Sequence, residues 1–242
     1  MSHAAEAYSP SAAPRSRPFH GATAERAFSN AISPGDHLSA LQAIGTVAQF
    51  ARNATIYGEG DDAGYCYRVV GGTVRLCKLM SDGRRQIADF LASGDFFGFE
   101  WLKTHSLTAE ALTDVVVVRY ARSRLDRLGE ELGDVQRSLI GVLSRDLWST
   151  QNHLSMLGRQ TAKERVVSFF LGLAERGGAG NGDVLDVPMG RQDIADYLGL
   201  TIETVCRAIS GLKRGRLIGV PNRTQIVILD IDKLKEIAEG DL

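Results

Sequence analysis

Between residues 140 and 157 large apolar side chains fall at Ile140, Leu143, Leu147, Leu154 and Leu157, with Thr150 as a polar member, in steps of 3, 4, 3, 4 and 3. That is the a/d spacing of a helix whose one face meets another helix, on a stretch without proline. The sequence on either side lacks this period, so a fold must place one unit before the helix and another after it. With 242 residues, 44% of them hydrophobic, the chain has apolar mass for one large domain or two small ones. A helix so placed either packs back on its own domain or meets its copy across a two-fold axis. The second arrangement is expected here, a homodimer with Ile140, Leu143, Leu147, Thr150, Leu154 and Leu157 at its interface.

From Asn53 to about Tyr120 the period is two. Segments such as Cys66 to Val70, Thr73 to Leu79, Gln86 to Leu91 and Val115 to Val118 alternate, separated by Gly71-Gly72, Ser81-Asp82-Gly83 and Ser93-Gly94-Asp95. Short strands with glycine turns at regular spacing predict a small antiparallel roll or barrel. After the helix, Thr161-x-x-Glu164 opens a new helix with a capping box, Phe169, Phe170, Leu171 and Leu173 give it an apolar face, and Gly177 to Gly182 end it. Val220 and Ile226 to Ile228 flank a turn-forming stretch and read as a β-hairpin. Residues 1–21 hold three Pro, four Ser and two Arg but no apolar core of a secretory signal, and are read with the residues up to 25 as a disordered tail. No run approaches the ~20 apolar residues of a membrane helix, so no membrane partner is expected. Three unpaired cysteines point to a reducing, cytoplasmic setting.

Arg191-Gln192-Asp193-Ile194-Ala195-Asp196-Tyr197-Leu198-Gly199-Leu200, followed by Thr201-Ile202-Glu203-Thr204-Val205-Cys206-Arg207-Ala208-Ile209, has the pattern helix, glycine turn, helix. Ile194, Leu198, Val205, Ile209 and Leu212 supply a shared core, Ala195 allows a close crossing and Gly199 tolerates the turn. Thr201 caps the second helix, which places Ile202, Glu203, Cys206 and Arg207 where a recognition helix meets base edges. In a major groove a carboxylate accepts from the cytosine amino group and a guanidinium forks onto guanine, so the pair Glu203 and Arg207 could read G·C pairs of double-stranded DNA. The same spacing also describes an ordinary surface ion pair worth a few tenths of a kcal/mol. Local charge decides between them. From Thr201 to Arg223 the five basic residues Arg207, Lys213, Arg214, Arg216 and Arg223 face the single acid Glu203, a local +4 hidden in a chain whose net charge is −1. Lys213, Arg214, Arg216 and Arg223, with Arg191, Thr201 and Thr204, are assigned to the DNA backbone, where contacts hold register without reading sequence.

These residues resemble the CRP/FNR superfamily of bacterial transcription regulators, in its FNR/FixK branch, over roughly residues 43–230. The most specific strings are Gly94-Asp95-Phe96-Phe97-Gly98-Phe99-Glu100, Thr161-Ala162-Lys163-Glu164-Arg165-Val166 and Glu203-Thr204-Val205-Cys206-Arg207. The resemblance implies an α+β fold: a cyclic-nucleotide-binding-like, jelly-roll sensory domain built as a double-stranded β-helix over 26–120, a long dimerisation helix over 121–158, and a C-terminal winged helix-turn-helix over 159–242. It further implies a palindromic operator related to TTGAT-N4-ATCAA, with Glu203 and Arg207 at base-reading positions. Transcription would be activated by touching RNA polymerase through the turn Ser81, Asp82, Gly83, Arg84 and Arg85. The regulated genes in that branch serve microaerobic respiration, denitrification or nitrogen fixation.

Departures from the family pattern bear on ligands. Members that bind cyclic nucleotides have Gly-Glu after the Gly-Asp-Phe turn and an Arg-Ser that clasps the phosphate; here the strings are Gly98-Phe99-Glu100 and Ser106-Leu107-Thr108-Ala109, without arginine. A buried phosphate lacking a guanidinium would be an unpaired charge, so no cyclic AMP is expected. Three cysteines cannot supply four thiolates to an iron-sulfur cluster. Haem held by His37, His105 or Cys77 is the alternative, an effector-gated sensor of the same fold, but no cofactor is expected. The five histidines lie far apart, which argues against a cupin-like metalloenzyme, and no catalytic motif is present. A dimeric scaffold that no longer reads DNA would sit badly with Glu203, Arg207 and the local charge. Cys206 is either a small groove-facing side chain or, beside Arg207 near a helix N-terminus, a redox-sensitive thiol. Cys66 and Cys77 are expected in the core.

Overall fold

The computed structural model describes Leu41 and residues 44–100, 102–131 and 133–240; the tail expected over 1–25 lies outside them. Eight strands form the first unit: β1 (Gly45–Phe50), β2 (Thr55–Tyr57), β3 (Tyr65–Gly71), β4 (Val74–Leu79), β5 (Arg85–Leu91), β6 (Phe96–Phe97), β7 (Thr108–Ala111) and β8 (Val115–Ala121). They make two four-stranded antiparallel sheets, ordered β1-β8-β3-β6 and β2-β7-β4-β5, the jelly-roll arrangement. Alternation along β8 shows how one strand serves two layers. Val115 and Val117 point between the sheets, together with Val69, Val74, Phe97 and Ala111, while Val118 and Tyr120 point outward. The outward layer is closed by helix α1 (Arg122–Glu131) and helix α2 (Gly133–Arg159), through Leu125, Val135 and Val142.

The single helix expected over 121–158 is thus two helices. The second begins at Gly133, a poor helix interior residue, with Asp134 in its first turn, where a carboxylate suits the positive end of the helix dipole. β1 lies upstream of the stretch in which strands were expected. Its Val47 and Phe50 are only partly buried, so its alternation is weak.

The second unit holds α3 (Ala162–Gly177), β9 (Val184–Asp186), α4 (Arg191–Leu198), α5 (Ile202–Arg214), β10 (Ile218–Asn222), β11 (Gln225–Ile228) and α6 (Ile231–Glu239). β10, β11 and β9 pair in that order, so the expected hairpin gains a third strand. Sequence reading also missed α6, whose signal is an N-cap: the Asp230 carboxylate accepts from Lys233 N, ahead of the buried Leu234 and Ile237. Thr161 and Glu164 form the expected capping box, and Gly178 ends α3 at φ 64°, a left-handed position that suits glycine.

A β-bulge joins the two units. Cys77 pairs with Ile87 but Leu76 pairs with Asp89, leaving Ala88 as the extra residue of β5. Ile87 and Phe90 therefore both face outward, beside Cys77, and these three belong to the same apolar cluster as the core of the second unit. Cys77 is buried as expected, but at the seam between the units rather than inside the roll.

Candidate nucleic-acid interface

The five residues expected to form the shared core of the helix-turn-helix, Ile194, Leu198, Val205, Ile209 and Leu212, are all buried, and Ala195 is 0% exposed where α4 and α5 cross. Gly199 ends α4 at φ 61°, and Thr201 Oγ1 accepts from Thr204 N at 3.3 Å to start α5. Packing one face of α5 this firmly leaves the opposite face in solvent. Glu203, Cys206 and Arg207 are exposed there, and Ile202 is half-buried beside them. The backbone N–H of Glu203 and the Thr201 hydroxyl hold the Glu203 carboxyl below its usual range, so it is an ionised acceptor at neutral pH. Among the described ion pairs none joins Glu203 to Arg207. The Arg207 guanidinium instead donates to Thr204 Oγ1 at 3.2 Å, leaving the remaining donors free for a ligand.

The basic residues surround this face. Lys213 and Arg214 occupy the last turn of α5, Arg216 follows at φ 54°, and all three are exposed. Arg223 stands at the tip of the β10–β11 hairpin. Asn222 stiffens that tip by accepting from Thr224 N at 2.9 Å and Thr224 Oγ1 at 3.1 Å. Arg191 opens α4, half-buried, and its Nη1 has no hydrogen-bond partner among the described residues. A buried donor without an acceptor costs free energy until an anion satisfies it.

Elsewhere the sites expected from sequence are spread over the molecule. On α2, Ile140, Leu143, Leu147 and Leu154 are 46–63% exposed. The Thr150 hydroxyl is turned back onto Asp146 O, and Leu157 is half-buried at the start of the second unit. At the β4–β5 turn Ser81, Asp82, Gly83 and Arg84 are exposed, with Asp82 and Arg84 paired at 2.7 Å. Arg85 differs from them: its guanidinium reaches Asp193 and Asp196 in α4.

Sequence reading also missed Arg165. Its guanidinium donates to Leu157 O, Gln160 O and Leu198 O at 2.8, 3.0 and 3.0 Å, tying the end of α2, the connection to α3 and the end of α4 together. The polar residues of Thr161-Ala162-Lys163-Glu164-Arg165-Val166 thus include both halves of a helix cap and a three-carbonyl clamp.

Aromatic rings occupy part of the roll's largely aliphatic interior. Tyr57 stacks on His105 with centroids 3.5 Å apart, and Tyr67 stacks on Phe97 at 5.1 Å. Glu100 Oε1 accepts from Ser106 N and Ser106 Oγ at 3.0 and 3.1 Å, so the loop following β6 is closed on itself. Burial pushes the Cys66 thiol up to about 12 and the Cys77 thiol up to about 11, which keeps both protonated at neutral pH. Among the described residues no group of three or more His, Cys, Asp and Glu is placed to hold a metal, and no helix is long and apolar enough to cross a membrane.

Residues 164–237 match the Crp-like helix-turn-helix domain family and residues 47–131 the cyclic nucleotide-binding domain family. The chain is 42% identical over 200 residues to the nitrogen fixation regulation protein FixK of Azorhizobium caulinodans, covering 81% of each. The chain belongs to the CRP/FNR family. A second FixK, from Rhizobium meliloti, is 39% identical over 191 residues, covering 79% of this chain and 86% of the relative. Among solved structures, FixK2 from Bradyrhizobium japonicum superposes with a TM-score of 0.75 at 40% identity, over 80% of this chain and 96% of that one. This CRP/FNR protein is therefore a transcription regulator of the FixK/FNR type with a helix-turn-helix DNA-binding domain, and the roll and winged domain are the architecture of that family.

Proposed function

We propose that the protein acts as a homodimer that binds a TTGAT-N4-ATCAA-like palindrome in double-stranded DNA and activates transcription by contacting RNA polymerase. The observation that carries this reading is the exposed face of α5, which presents an ionised Glu203 and a guanidinium, Arg207, one helical turn apart above a capped helix start. Glu203 accepts from cytosine and Arg207 donates to guanine, while Ile202 and Cys206 touch neighbouring bases. Thr201, Thr204, Arg191, Lys213, Arg214, Arg216 and Arg223 hold the phosphates, and the orphaned Nη1 of Arg191 gains its acceptor there. The exposed stripe Ile140, Leu143, Leu147, Leu154, with Thr150 and Leu157 continuing it, pairs two copies. Of the turn assigned to polymerase, Ser81 to Arg84 stand in solvent, while Arg85 is engaged within the chain.

The names of the relatives support target genes of nitrogen fixation, while target genes of low-oxygen metabolism rest on the family resemblance alone. Cyclic AMP has no part in this reading, because stacked rings occupy part of the roll's interior and the loop after β6 offers no arginine to a phosphate. Nor does the protein act as an enzyme. Transcription in vitro from a promoter carrying the palindrome, using purified protein and polymerase without added effector, tests the whole reading. Activation lost on scrambling either half-site is the expected result; equal transcription from scrambled DNA overturns it.

Cys206 adds a control point. Its thiol is exposed on the reading face, so oxidation would place charge or bulk against DNA. Peroxide is expected to weaken operator binding by the native protein and to spare Cys206→Ser; equal sensitivity of the two proteins would remove the idea. An effector-gated sensor is favoured by one feature, a cleft of about 700 Å³ between the roll and the two helices, lined by residues including Tyr65, Phe99, Arg122 and Leu139 and bordered by Ile140 and Leu143. DNA binding that requires an added small molecule would establish that alternative.

A further inference from the structure

The helix-turn-helix does not hang from α2 alone. Its first helix, α4, is fastened to the outer face of β4 and β5 by four charged side chains. Asp193 Oδ1 accepts from Arg75 Nη1 at 2.8 Å and from Arg85 Nη2 at 2.6 Å, and Asp196 Oδ2 accepts from Arg85 Nε at 3.0 Å. Both arginines belong to the roll and both aspartates to the DNA-binding domain, so every one of these bonds crosses the seam. The cluster is shielded from water: side-chain exposures are 14% for Arg75, 26% for Arg85 and 12–13% for the aspartates. It is also oriented from both sides. Glu110 accepts from Arg75 Nε at 2.7 Å within the roll, and Asp193 Oδ2 accepts from Gly190 N at 3.0 Å within its own helix. Beside the charges Tyr197 of α4 packs against Phe90 of β5, centroids 5.3 Å apart.

Two properties of this contact define its role. It uses the face of α4 directed at the roll and leaves Glu203, Cys206 and Arg207 of α5 exposed, so it does not block the reading surface. It also joins the winged domain to the same body that carries α2, so in a dimer each recognition helix has a fixed position relative to the two-fold axis. A bivalent binder gains from its second site only when geometry lets both engage together, and that gain amounts to about 100-fold or more. We propose that Arg75, Arg85, Asp193 and Asp196 are positioning residues that set which half-site spacing the dimer accepts. This rests on the reading above, in which two copies straddle a palindrome with half-sites about one helical turn, ~34–36 Å, apart. Recognition of bases within a half-site belongs to α5 and is independent of the clamp.

The test uses the double variant Arg75→Gln/Arg85→Gln, which removes all three cross-seam donors from the roll side without altering the DNA-binding domain, and the double variant Asp193→Asn/Asp196→Asn, which neutralises both acceptors from the other side. Binding is measured on operators with identical half-sites and spacers of three, four, five and six base pairs. The native dimer should lose roughly 100-fold when the spacer departs by one base pair from its best length, and each variant less than about 10-fold, with the order of base preferences inside the half-site unchanged. A loss of affinity by the same factor on every spacer, or a spacing preference as sharp as native, overturns the proposal. A second readout needs no DNA. Cys206 is exposed while Cys66 and Cys77 are buried, so a nitroxide can be placed on each recognition helix of the dimer. Pulsed dipolar spectroscopy should give a narrow inter-label distance distribution in the native protein and a broad one in both variants. Equal widths overturn the clamp. Broadening in a protein whose native form prefers no palindrome would keep the clamp and overturn the DNA reading instead.

Discussion

Truncating Leu147 to alanine should separate the two protomers while leaving each folded. On α2 this side chain is 59% exposed. Burying a leucine completely is worth about 1.5–3 kcal/mol, so covering that exposed fraction with a partner helix contributes roughly 1–2 kcal/mol per protomer. A two-fold axis makes each seam substitution count twice, giving about 2–4 kcal/mol per dimer. The dimer dissociation constant should therefore rise by about 30- to 1,000-fold. Within the protomer the same change is a surface substitution, expected to stay within ±0.5 kcal/mol. Sedimentation equilibrium over a dilution series measures the constant, circular dichroism of the dilute protein reports the fold, and Asn152→Ala on the exposed far side of α2 serves as the control. A constant within about threefold of native would refute the reasoning, because burial of this stripe would then not drive association.

Lys213→Ala should weaken binding to all sequences alike and flatten the dependence of log affinity on log salt by about one unit; a base-specific loss in a binding-site selection would contradict its assignment to phosphate. Asp89 lies where the roll meets α3 and α4, and burial pushes its carboxyl from 3.8 up to about 6, against the lowering influence of Arg176. A carboxyl raised on folding contributes stability that is complete below its unfolded pKa and lost as pH rises through the folded value. Native stability should therefore decline between about pH 4 and pH 6 by at most about 3 kcal/mol from this group. Asp89→Asn should remove that decline in denaturant melts across the range, and an Asn variant with the same pH profile as native would contradict it.

How much was legible follows from how local each signal was. The helix-turn-helix declares itself within one short stretch, because Ile194, Ala195, Leu198, Val205 and Ile209 must meet across a turn that needs Gly199, and the structure buries all five apolar residues as the spacing requires. The roll was legible where β-branched and aromatic residues run between glycine turns, at β3 and β8, and illegible at β1, whose apolar side chains are only partly covered. The seam between the domains was hidden for a different reason. Arg75 and Arg85 find Asp193 and Asp196 more than a hundred residues away in sequence, and a bulge at Ala88 decides that Ile87 and Phe90 share the outward face. A period-two pattern broken by one extra residue gives no sign of what lies beyond the sheet. Arg85, placed with the exposed turn by its neighbours in sequence, is drawn into that seam by partners that only the fold supplies.

The central claim is that Glu203 and Arg207 meet the edges of bases, and a base-by-base selection on randomised palindromes, run with the native protein and with Glu203→Ala at moderate salt, tests it most directly. The native protein should recover one palindrome, and the variant should lose about 1–3 kcal/mol on that site with discrimination relaxed at a single base pair of each half-site. If both proteins returned the same preference at every position, or the native protein returned none, Glu203 would not be reading DNA.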